Sequence, residues 1–263
     1  MSATLAHRGT PLPAPPAWLL ALVLPLLALT GWALASRQGW IAPQVLPAPG
    51  DVWLTLQELW ASGDLAMHLG FSALRVVEGF AIGTALGLVL GAAMGMSRRV
   101  EEFLRPSFMA IAQVPVIGWV PLLMLPLGIG EALKVVIIAK AACVPVALNA
   151  RDGVRGIPVA WQEVAAVFRF TGWQYLRRVL LPATVPPVFT GVRYGLTSAW
   201  KALVAVELLA SSEGLGYLLV WGRQMFQMDL VIAGMVIIAV VGLIFDGLLA
   251  MVEQRLQRWK PGA

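Results

Sequence analysis

The segment that decides the fold class is residues 72–96, which read SALRVVEGFAIGTALGLVLGAAMGM. Glycine recurs at every fourth position within it, as Gly79, Gly83, Gly87, Gly91 and Gly95. Residues four apart lie on one face of a helix, so these glycines form a stripe that lacks side chains. Such a stripe lets a second helix approach closely, which is how helices associate in lipid. The segment is therefore predicted to be a membrane-spanning helix that packs tightly against another helix.

The composition of the whole chain agrees with a membrane protein. Of its 263 residues, 59% are hydrophobic and 13% are charged, and the mean hydropathy is +0.80. A soluble domain has about 25% charged residues, so this composition argues against a water-soluble globule and against a disordered chain. Long uncharged runs between charged clusters favour helices over the alternating strands of a barrel. We expect an all-α membrane protein.

Six apolar segments, each of about 20 residues or more, are long enough to cross a bilayer. They are residues 17–36, 72–96, 107–126, 131–150, 183–210 and 230–252. The first also resembles a cleaved signal peptide, because Ala33-Leu34-Ala35 is typical of a cleavage site. Its length and the single arginine ahead of it favour a retained span. Residues 37–71 are predicted to contain a short interfacial helix capped by Asp51.

The distribution of lysine and arginine predicts the orientation of the chain. Two of these residues lie in the loops on one side, and twelve lie in four segments on the other side, namely 1–16, 97–106, 151–182 and 253–263. Both tails and both of these loops are therefore expected in the cytoplasm, with residues 37–71 in the periplasm. The polar loop 151–182 interrupts a predicted five-helix core that extends over residues 72–252.

The sequence lacks the common motifs of energy conversion and catalysis. It has no phosphate loop of the form G-x-x-x-x-G-K-[ST], no H-E-x-x-H pair and no G-x-S-x-G turn. Two histidines, His7 and His68, and one cysteine, Cys143, argue against a metal site. The chain is predicted to be a conduit or a scaffold, with any ATP hydrolysis done by another protein.

The loop 151–182 carries the most informative pattern in the chain. It is predicted to form a short helix from Trp161, a turn near Thr171 and a second helix that leads to Pro182. From periodicity alone, two such helices could equally lie on anionic lipid.

The spacing in this loop resembles the EAA loop of binding-protein-dependent ABC importer permeases. That pattern is Glu-Ala-Ala, three residues, Gly, nine residues and Ile-x-Leu-Pro, and it is matched by Glu163, Ala165, Val179, Leu181 and Pro182. Other runs resemble the sulfonate, taurine and nitrate branch of that family, including Leu46-Pro47-Ala48-Pro49, Leu127-Gly128-Ile129-Gly130 and Gly214-Leu215-Gly216-Tyr217. The resemblance covers about residues 40–255.

The resemblance implies a type I ABC importer permease with six transmembrane helices in a bacterial inner membrane. It implies no cofactor in this chain, because ATP is bound by a separate subunit. The expected partners are a second permease copy, two ATPase subunits and a periplasmic or lipid-anchored binding protein. The expected substrate is a small organic anion, of the alkanesulfonate, taurine or nitrate-like type.

The resemblance also implies which residues couple the permease to ATP hydrolysis. Glu163 would be the polar anchor in a groove of the ATPase, and Ala165 and Ala166 would permit close approach. Two residues depart from the family pattern. Arg169 stands where the pattern has glycine, and Val164 stands where the pattern has its first alanine.

Two further loop residues are expected to shape the coupling loop. We expect Gly172 to supply the turn in place of Arg169, because glycine accepts positive φ at little cost. We expect Pro182 to set the exit angle of the loop.

Charged residues inside the predicted spans need partners or a watery surface, because each costs about 2.5–3.5 kcal/mol at mid-membrane. Lys201 could line the pathway and attract a small anion, or it could pair with another helix or snorkel to an interface. Glu207 lies toward the predicted outer end, where the resemblance implies a gate or a docking role. Arg75 and Glu78 lie three residues apart and are expected to neutralise each other.

Two other classes of function are compatible with an apolar chain of this kind. A self-sufficient secondary transporter or channel would need repeats or broken helices with midplane charges. Pro115 and Pro121 do interrupt one predicted span, but no convincing repeat is present. A membrane enzyme would need catalytic residues clustered at one depth, which two histidines do not supply. ATP dependence of uptake separates the importer from the secondary transporter.

Overall fold

A computed structural model describes residues 17–256, and it describes the side chains of residues 22–255. All regular structure in this range is helical, which confirms the predicted all-α class. The helices are α1 Ala17–Arg37, α2 Pro49–Ser62, α3 Asp64–Met96, α4 Arg98–Gln113, α5 Val116–Leu127, α6 Glu131–Arg155, α7 Val159–Val167, α8 Gly172–Tyr175, α9 Leu181–Ala210, α10 Leu215–Gln224 and α11 Met228–Leu256, with a π-helical turn Leu176–Leu180 between α8 and α9. The predicted tail 1–16 and most of the tail 253–263 lie outside the described residues.

Membrane-spanning length and composition are met by two single helices in the described range, α3 and α11. Two bent pairs, α4 with α5 and the α8–α9 segment with α10, raise this number to four if each pair crosses as one span. The helix α6 matches the predicted fourth span in position but carries Glu131, Lys134 and Lys140. The count of six spans stays a prediction.

The predicted third span, residues 107–126, is interrupted at Pro115, as the sequence indicated. Its residues belong to α4 and α5, whose axes differ by 99°. Pro115 lacks an N–H group and disfavours helical geometry at Val114, which is extended with φ −74° and ψ 121°. Pro121, the other proline expected to interrupt this span, lies inside α5 without ending it. The predicted basic loop 97–106 is likewise helical, because α4 begins at Arg98.

The predicted boundaries before α3 also need correction. Asp51 caps α2 from within its first turn: the helix begins at Pro49, and the Asp51 carboxylate accepts the backbone N–H of the N-cap residue Ala48 at 3.2 Å. The second predicted span, which was expected to begin at Ser72, is part of the longer α3, which begins at Asp64. A left-handed Gly63, with φ 84°, separates α2 from α3.

The glycine stripe of α3 lies against α6. A Cβ atom built on Gly79 would lie 2.6 Å from the Cβ of Ile138, and one on Gly87 would lie 2.8 Å from the carbonyl oxygen of Cys143. Cβ atoms on the other three glycines would collide with α6 in the same way, at Ala139 for Gly83, at Ala147 for Gly91 and at Val154 for Gly95. The backbones of α3 and α6 therefore approach more closely than any side chain on the stripe would allow.

Alanine at Gly83 is expected to destabilise the protein by about 1–3 kcal/mol, because its Cβ would overlap the α6 backbone at Ala139. Gly70 is a matched control on the same helix, since a Cβ there meets nothing within 4 Å. Gly70→Ala should be neutral or slightly stabilising because alanine is the better helix former. The measurement is the apparent melting temperature of each purified variant in mild detergent. Equal melting temperatures for the two variants would contradict the packing of this stripe.

The hydrophobic core joins the helices that surround α3 and α6. Its largest cluster includes Val76, Ile138, Leu203, Leu215 and Ile237, which come from α3, α6, α9, α10 and α11. A second cluster connects α5 with α6 and α9 through Val120, Ile137 and Val206. These contacts pack α6 against α9, the two helices that the polar loop connects.

Candidate functional site

The polar loop 151–182 presents its first helix, α7, to solvent. Glu163 lies at the middle of α7, and its side chain is exposed and forms no hydrogen bond or ion pair with residues 17–256. Ala165 is buried at 4% exposure and its carbonyl oxygen accepts the N–H of Phe170 at 2.9 Å, whereas Ala166 is exposed. The carboxylate that the sequence singled out is therefore available to a partner.

Apolar side chains surround this carboxylate without being covered by the described chain. Val164 is 53% exposed, Val167 is 79% exposed and Phe168 is 71% exposed. Trp161 and Trp173 are also exposed. A contiguous apolar patch on a folded protein marks an interaction surface. We call the surface formed by these residues and Glu163 the coupling surface.

The turn after α7 is made at Arg169 and not at Gly172, so the prediction for Gly172 is wrong. Arg169 takes a left-handed conformation with φ 50°, at the position where the family pattern has glycine. Gly172 is the first residue of α8. Thr171 caps that helix by accepting the N–H of Gln174, whose side chain accepts the N–H of Thr171 in return. Arg169 therefore forms the turn itself, and Gly172 takes no part in it.

Substitutions at Gly172 and at Arg169 are expected to differ in their effect on the stability of the loop. Gly172→Ala should be neutral, because its Cβ would meet nothing within 4 Å and its backbone is helical. Arg169→Val should destabilise the loop by about 1–3 kcal/mol, since a β-branched residue is strained at positive φ. Arg169→Gly should be tolerated. Limited proteolysis of the loop in the purified protein measures these effects, and faster cleavage of Gly172→Ala than of Arg169→Val would contradict them.

The loop continues into α9 without a break. The helix α8, the π-helical turn and α9 form one helical path from Gly172 to Ala210. Pro182 is the second residue of α9, where a missing N–H is tolerated. The guanidinium of Arg178 lies 5.8 Å from the ring centroid of Phe170, which ties the turn to this path. The second half of the loop and the helix that carries Lys201 and Glu207 are therefore one helical segment.

Lys201 lines a cavity of about 370 Å³ between α6, α9 and the bend of α4 and α5. Its ammonium group makes no hydrogen bond or ion pair within the described part of the chain. Lys140 lines the same cavity, where its Nζ donates to the carbonyl oxygen of Val114 at 2.8 Å and lies 5.4 Å from the Trp119 ring centroid. No motif marks Lys140; its only signal in the sequence is a lysine within the apolar run 135–145.

Glu207 lies at the centre of a buried polar cluster and is 1% exposed. The Oγ of Ser72 donates to its carboxylate at 2.9 Å, and so do the Nη1 of Arg75 and the N–H of Gly216, each at 2.8 Å. Arg75 also donates through Nε and Nη2 to Glu131, at 2.6 and 2.8 Å. The predicted Arg75–Glu78 pair is therefore wrong. This buried cluster joins α3, α6, α9 and α10.

Two glycines make room for the Glu207 carboxylate. Gly214 has φ 112°, and a Cβ atom on it would collide with the Glu207 carboxylate. A Cβ on Gly216 would lie 2.6 Å from the Cβ of Glu207. The N–H of Leu215 donates to the Ser72 hydroxyl at 2.9 Å. The Gly-x-Gly run shortly after an intramembrane glutamate was the available sequence signal for this site.

Comparison with known proteins identifies the family. The family described as "Binding-protein-dependent transport system inner membrane component" matches residues 83–258, more than half of the chain. An aliphatic sulfonates transport permease of Bacillus subtilis is 38% identical over 243 residues, which cover 92% of this chain and 88% of that protein. The taurine transport system permease of Escherichia coli is 31% identical over 241 residues, which cover 90% and 87%.

A solved structure shares the fold. The inward-facing MetNI methionine ABC transporter matches with a TM-score of 0.56, covering 80% of this chain and 99% of that chain at 17% identity. The resemblance of the 163–182 pattern to importer permeases is thereby confirmed, and ATP hydrolysis belongs to a separate subunit in such systems. This chain belongs to the family of binding-protein-dependent transport system inner membrane components, and it is an ABC importer permease, not an enzyme.

Proposed function

We propose that this permease moves a small organic anion, of the alkanesulfonate, taurine or nitrate-like type, across the bacterial inner membrane in an ATP-driven importer. The observation that carries the proposal is the coupling surface, which leaves Glu163 and its apolar neighbours uncovered at the loop that matches the family pattern. The relatives named for aliphatic sulfonates and taurine support the class of substrate.

Coupling is proposed to occur by docking of α7 on an ATPase subunit. The Glu163 carboxylate accepts hydrogen bonds from the ATPase, while Val164, Val167 and Phe168 bury their exposed apolar surface against it. The small side chain of Ala166 allows close approach. When the ATPase subunits close and open, the continuous helical path from Gly172 carries the motion of α7 into α9.

The substrate pathway is proposed to include the cavity that Lys201 and Lys140 line. Lys140 is fixed by the carbonyl group of Val114 at the bend between α4 and α5, and Lys201 has no polar partner among residues 17–256. The Lys201 side chain is exposed, so its unpaired ammonium group is available to a sulfonate or a similar anion. Lys201 is the residue proposed to contact the anion, and Lys140 raises the local positive potential.

Glu207 is proposed to hold together the helices of its buried polar cluster rather than to dock a partner. Its carboxylate is fully buried and is satisfied by Ser72, Arg75 and Gly216, so it offers no surface to a binding protein. The cluster fixes the predicted outer ends of α3 and α9 relative to α6. It thereby defines one rigid unit on that side of the membrane.

The complete importer is proposed to contain two permease copies, two ATPase subunits and a periplasmic or lipid-anchored binding protein. Both termini are proposed to lie in the cytoplasm, on the side that carries twelve of the lysine and arginine residues outside the spans. This orientation places α7 on the ATP side of the membrane.

Uptake into proteoliposomes tests the proposal. The permease is reconstituted with its ATPase and binding protein, and entry of radiolabelled taurine, an alkanesulfonate or nitrate is measured with and without internal ATP. We expect accumulation only with ATP and the ATPase. Accumulation driven by an ion gradient, with permease alone, would support a secondary transporter and overturn the importer.

Lys201→Gln is expected to reduce uptake of the anion by about tenfold or more, because a charge-assisted contact with the anion is lost. Lys201→Arg should restore much of it, since the charge returns. Arg223→Gln, which removes an exposed positive charge elsewhere, is the control and should leave uptake unchanged. The measurement is the initial rate over a range of substrate concentrations. Equal rates for Lys201→Gln and Arg223→Gln would remove Lys201 from the pathway.

A further inference from the structure

A second positively charged cavity lies at the ends of α4 and α6, away from Lys201. Its volume is about 560 Å³, and it is lined by Arg98, Glu101, Arg105, Met109, Arg151 and Arg155. These residues come from the start of α4 and the end of α6, just before the polar loop that contains α7. We call this cavity the arginine groove.

One buried carboxylate organises the floor of the arginine groove. Glu101 is 6% exposed and binds both Arg151, whose Nε donates at 2.6 Å, and Arg155. Arg155 also reaches the carbonyl oxygen of Met94 at the end of α3, at 3.5 Å. The groove is therefore built by contacts among three helices and is not a chance gathering of exposed arginines.

The arginine groove has more positive than negative charge. Arg98, Arg105, Arg151 and Arg155 face Glu101 and Glu102, of which Glu102 pairs with Arg98 at the surface. Arg151 also pairs with Asp152 beside the groove, so four guanidinium groups meet three carboxylates. Arg105 forms no hydrogen bond or ion pair with the residues that the structure describes. A guanidinium has five N–H donors, so Arg105 and Arg155 retain donors that are not engaged.

We infer that the arginine groove binds a phosphate- or sulfonate-type oxyanion. Such a group has three or more acceptor oxygens and forms bidentate hydrogen bonds with guanidinium groups. Two sources have this chemistry: a free anion in the cytoplasm and the headgroup of an anionic phospholipid. The lipid source rests on the proposed orientation, which places the groove at the cytoplasmic leaflet, and Pro106 and Met109 offer an apolar wall beside the arginines.

The occupant would connect α4 to the end of α6 next to the coupling loop. Arg151 and Arg155 lie in the last turns of α6, and α7 begins at Val159. An oxyanion held between Arg105 on α4 and Arg155 on α6 would add a contact that the protein alone does not make. We expect binding to be detected as stabilisation of the folded protein, since a ligand that binds only the native state raises its melting temperature.

The test uses the permease purified with its co-expressed ATPase in nanodiscs. Melting temperatures are measured in phosphatidylcholine alone, in phosphatidylcholine with added inorganic phosphate, and in phosphatidylcholine mixed with phosphatidylglycerol. We expect at least one addition to raise the melting temperature of the wild type. A rise with phosphate identifies a soluble source, and a rise with phosphatidylglycerol alone identifies the lipid headgroup.

Arg105→Gln and Arg99→Gln form a matched pair for this test. Both arginines lie on α4 and are exposed, but Arg99 does not line the groove. Arg105→Gln should weaken binding of the stabilising anion about tenfold, and Arg99→Gln should not. Arg105→Lys should retain part of the affinity, because it keeps the charge and loses the bidentate geometry.

Two results would overturn the inference. One is the absence of stabilisation of the wild type by either phosphate or phosphatidylglycerol. The other is an equal loss of stabilisation in Arg105→Gln and Arg99→Gln, which would indicate general charge attraction. Because the measurement is of binding and not of uptake, its outcome is independent of whether transport is driven by ATP.

Discussion

Replacing Glu163 by alanine is expected to abolish ATP-driven uptake while leaving membrane insertion and folding intact. The carboxylate is exposed and has no polar partner within residues 17–256, so its removal takes no contact from the permease itself. In the importer it is proposed to be the polar anchor between α7 and the ATPase. Truncation of a charged anchor at the centre of an interface typically costs 2–5 kcal/mol, which is enough to uncouple the two proteins.

The measurement for Glu163→Ala combines uptake with the amount of ATPase that co-purifies. We expect loss of both, at an unchanged melting temperature of the isolated permease. Glu163→Gln should retain part of the association, because the amide still accepts a hydrogen bond. Glu58→Ala, which removes an exposed carboxylate from α2, is the charge-matched control. Normal ATP-driven uptake by Glu163→Ala would contradict the assignment of the coupling surface.

Helix content was predictable from the sequence, whereas helix breaks were only partly so. Apolar runs and the four-residue glycine period locate α3 because both are local properties of one helix. Prolines are less informative: Pro115 ends a helix and Pro121 does not. At Pro115 the preceding residue Val114 is extended, and its carbonyl oxygen accepts a hydrogen bond from Lys140, which is distant in sequence. Such a partner cannot be inferred from proline spacing.

The partners of buried charges were predicted least well. The spacing rule for helices considers neighbours three or four residues apart, and it therefore pairs Arg75 with Glu78. The protein pairs Arg75 with Glu131 and Glu207, which are 56 and 132 residues away in the chain. The turn at Arg169 shows a similar limit, because a left-handed arginine is uncommon and the sequence offered a nearby glycine.

Glu207→Ala is expected to be the most destabilising single substitution in the membrane core. It removes the acceptor of three donors in a site that excludes water, namely the Ser72 hydroxyl, the Arg75 guanidinium and the Gly216 N–H. Breaking one partner out of a buried ion pair typically costs about 3–5 kcal/mol, which is a large part of the stability of a domain. We therefore expect little monodisperse protein on size-exclusion chromatography of a fluorescent fusion in mild detergent.

Glu78→Ala provides the contrast that separates the buried cluster from a local pair. Glu78 is exposed and lies three residues from Arg75, so a local pair would make both glutamates important, whereas the buried cluster makes only Glu207 important. Arg75→Met combined with Glu207→Leu should be less destabilising than the sum of the single substitutions, because the Arg75 guanidinium and the buried Glu207 carboxylate are then removed together, while Glu131 keeps its ion pair with Lys134. Additive losses in the double variant, or equal losses for Glu78→Ala and Glu207→Ala, would show that Arg75 and Glu207 do not act as a pair. A non-additive result would mean that the N-terminal part of α3 and the C-terminal end of α9 are held together by one cooperative polar unit. Alternating access must then either move this unit as a whole or open it.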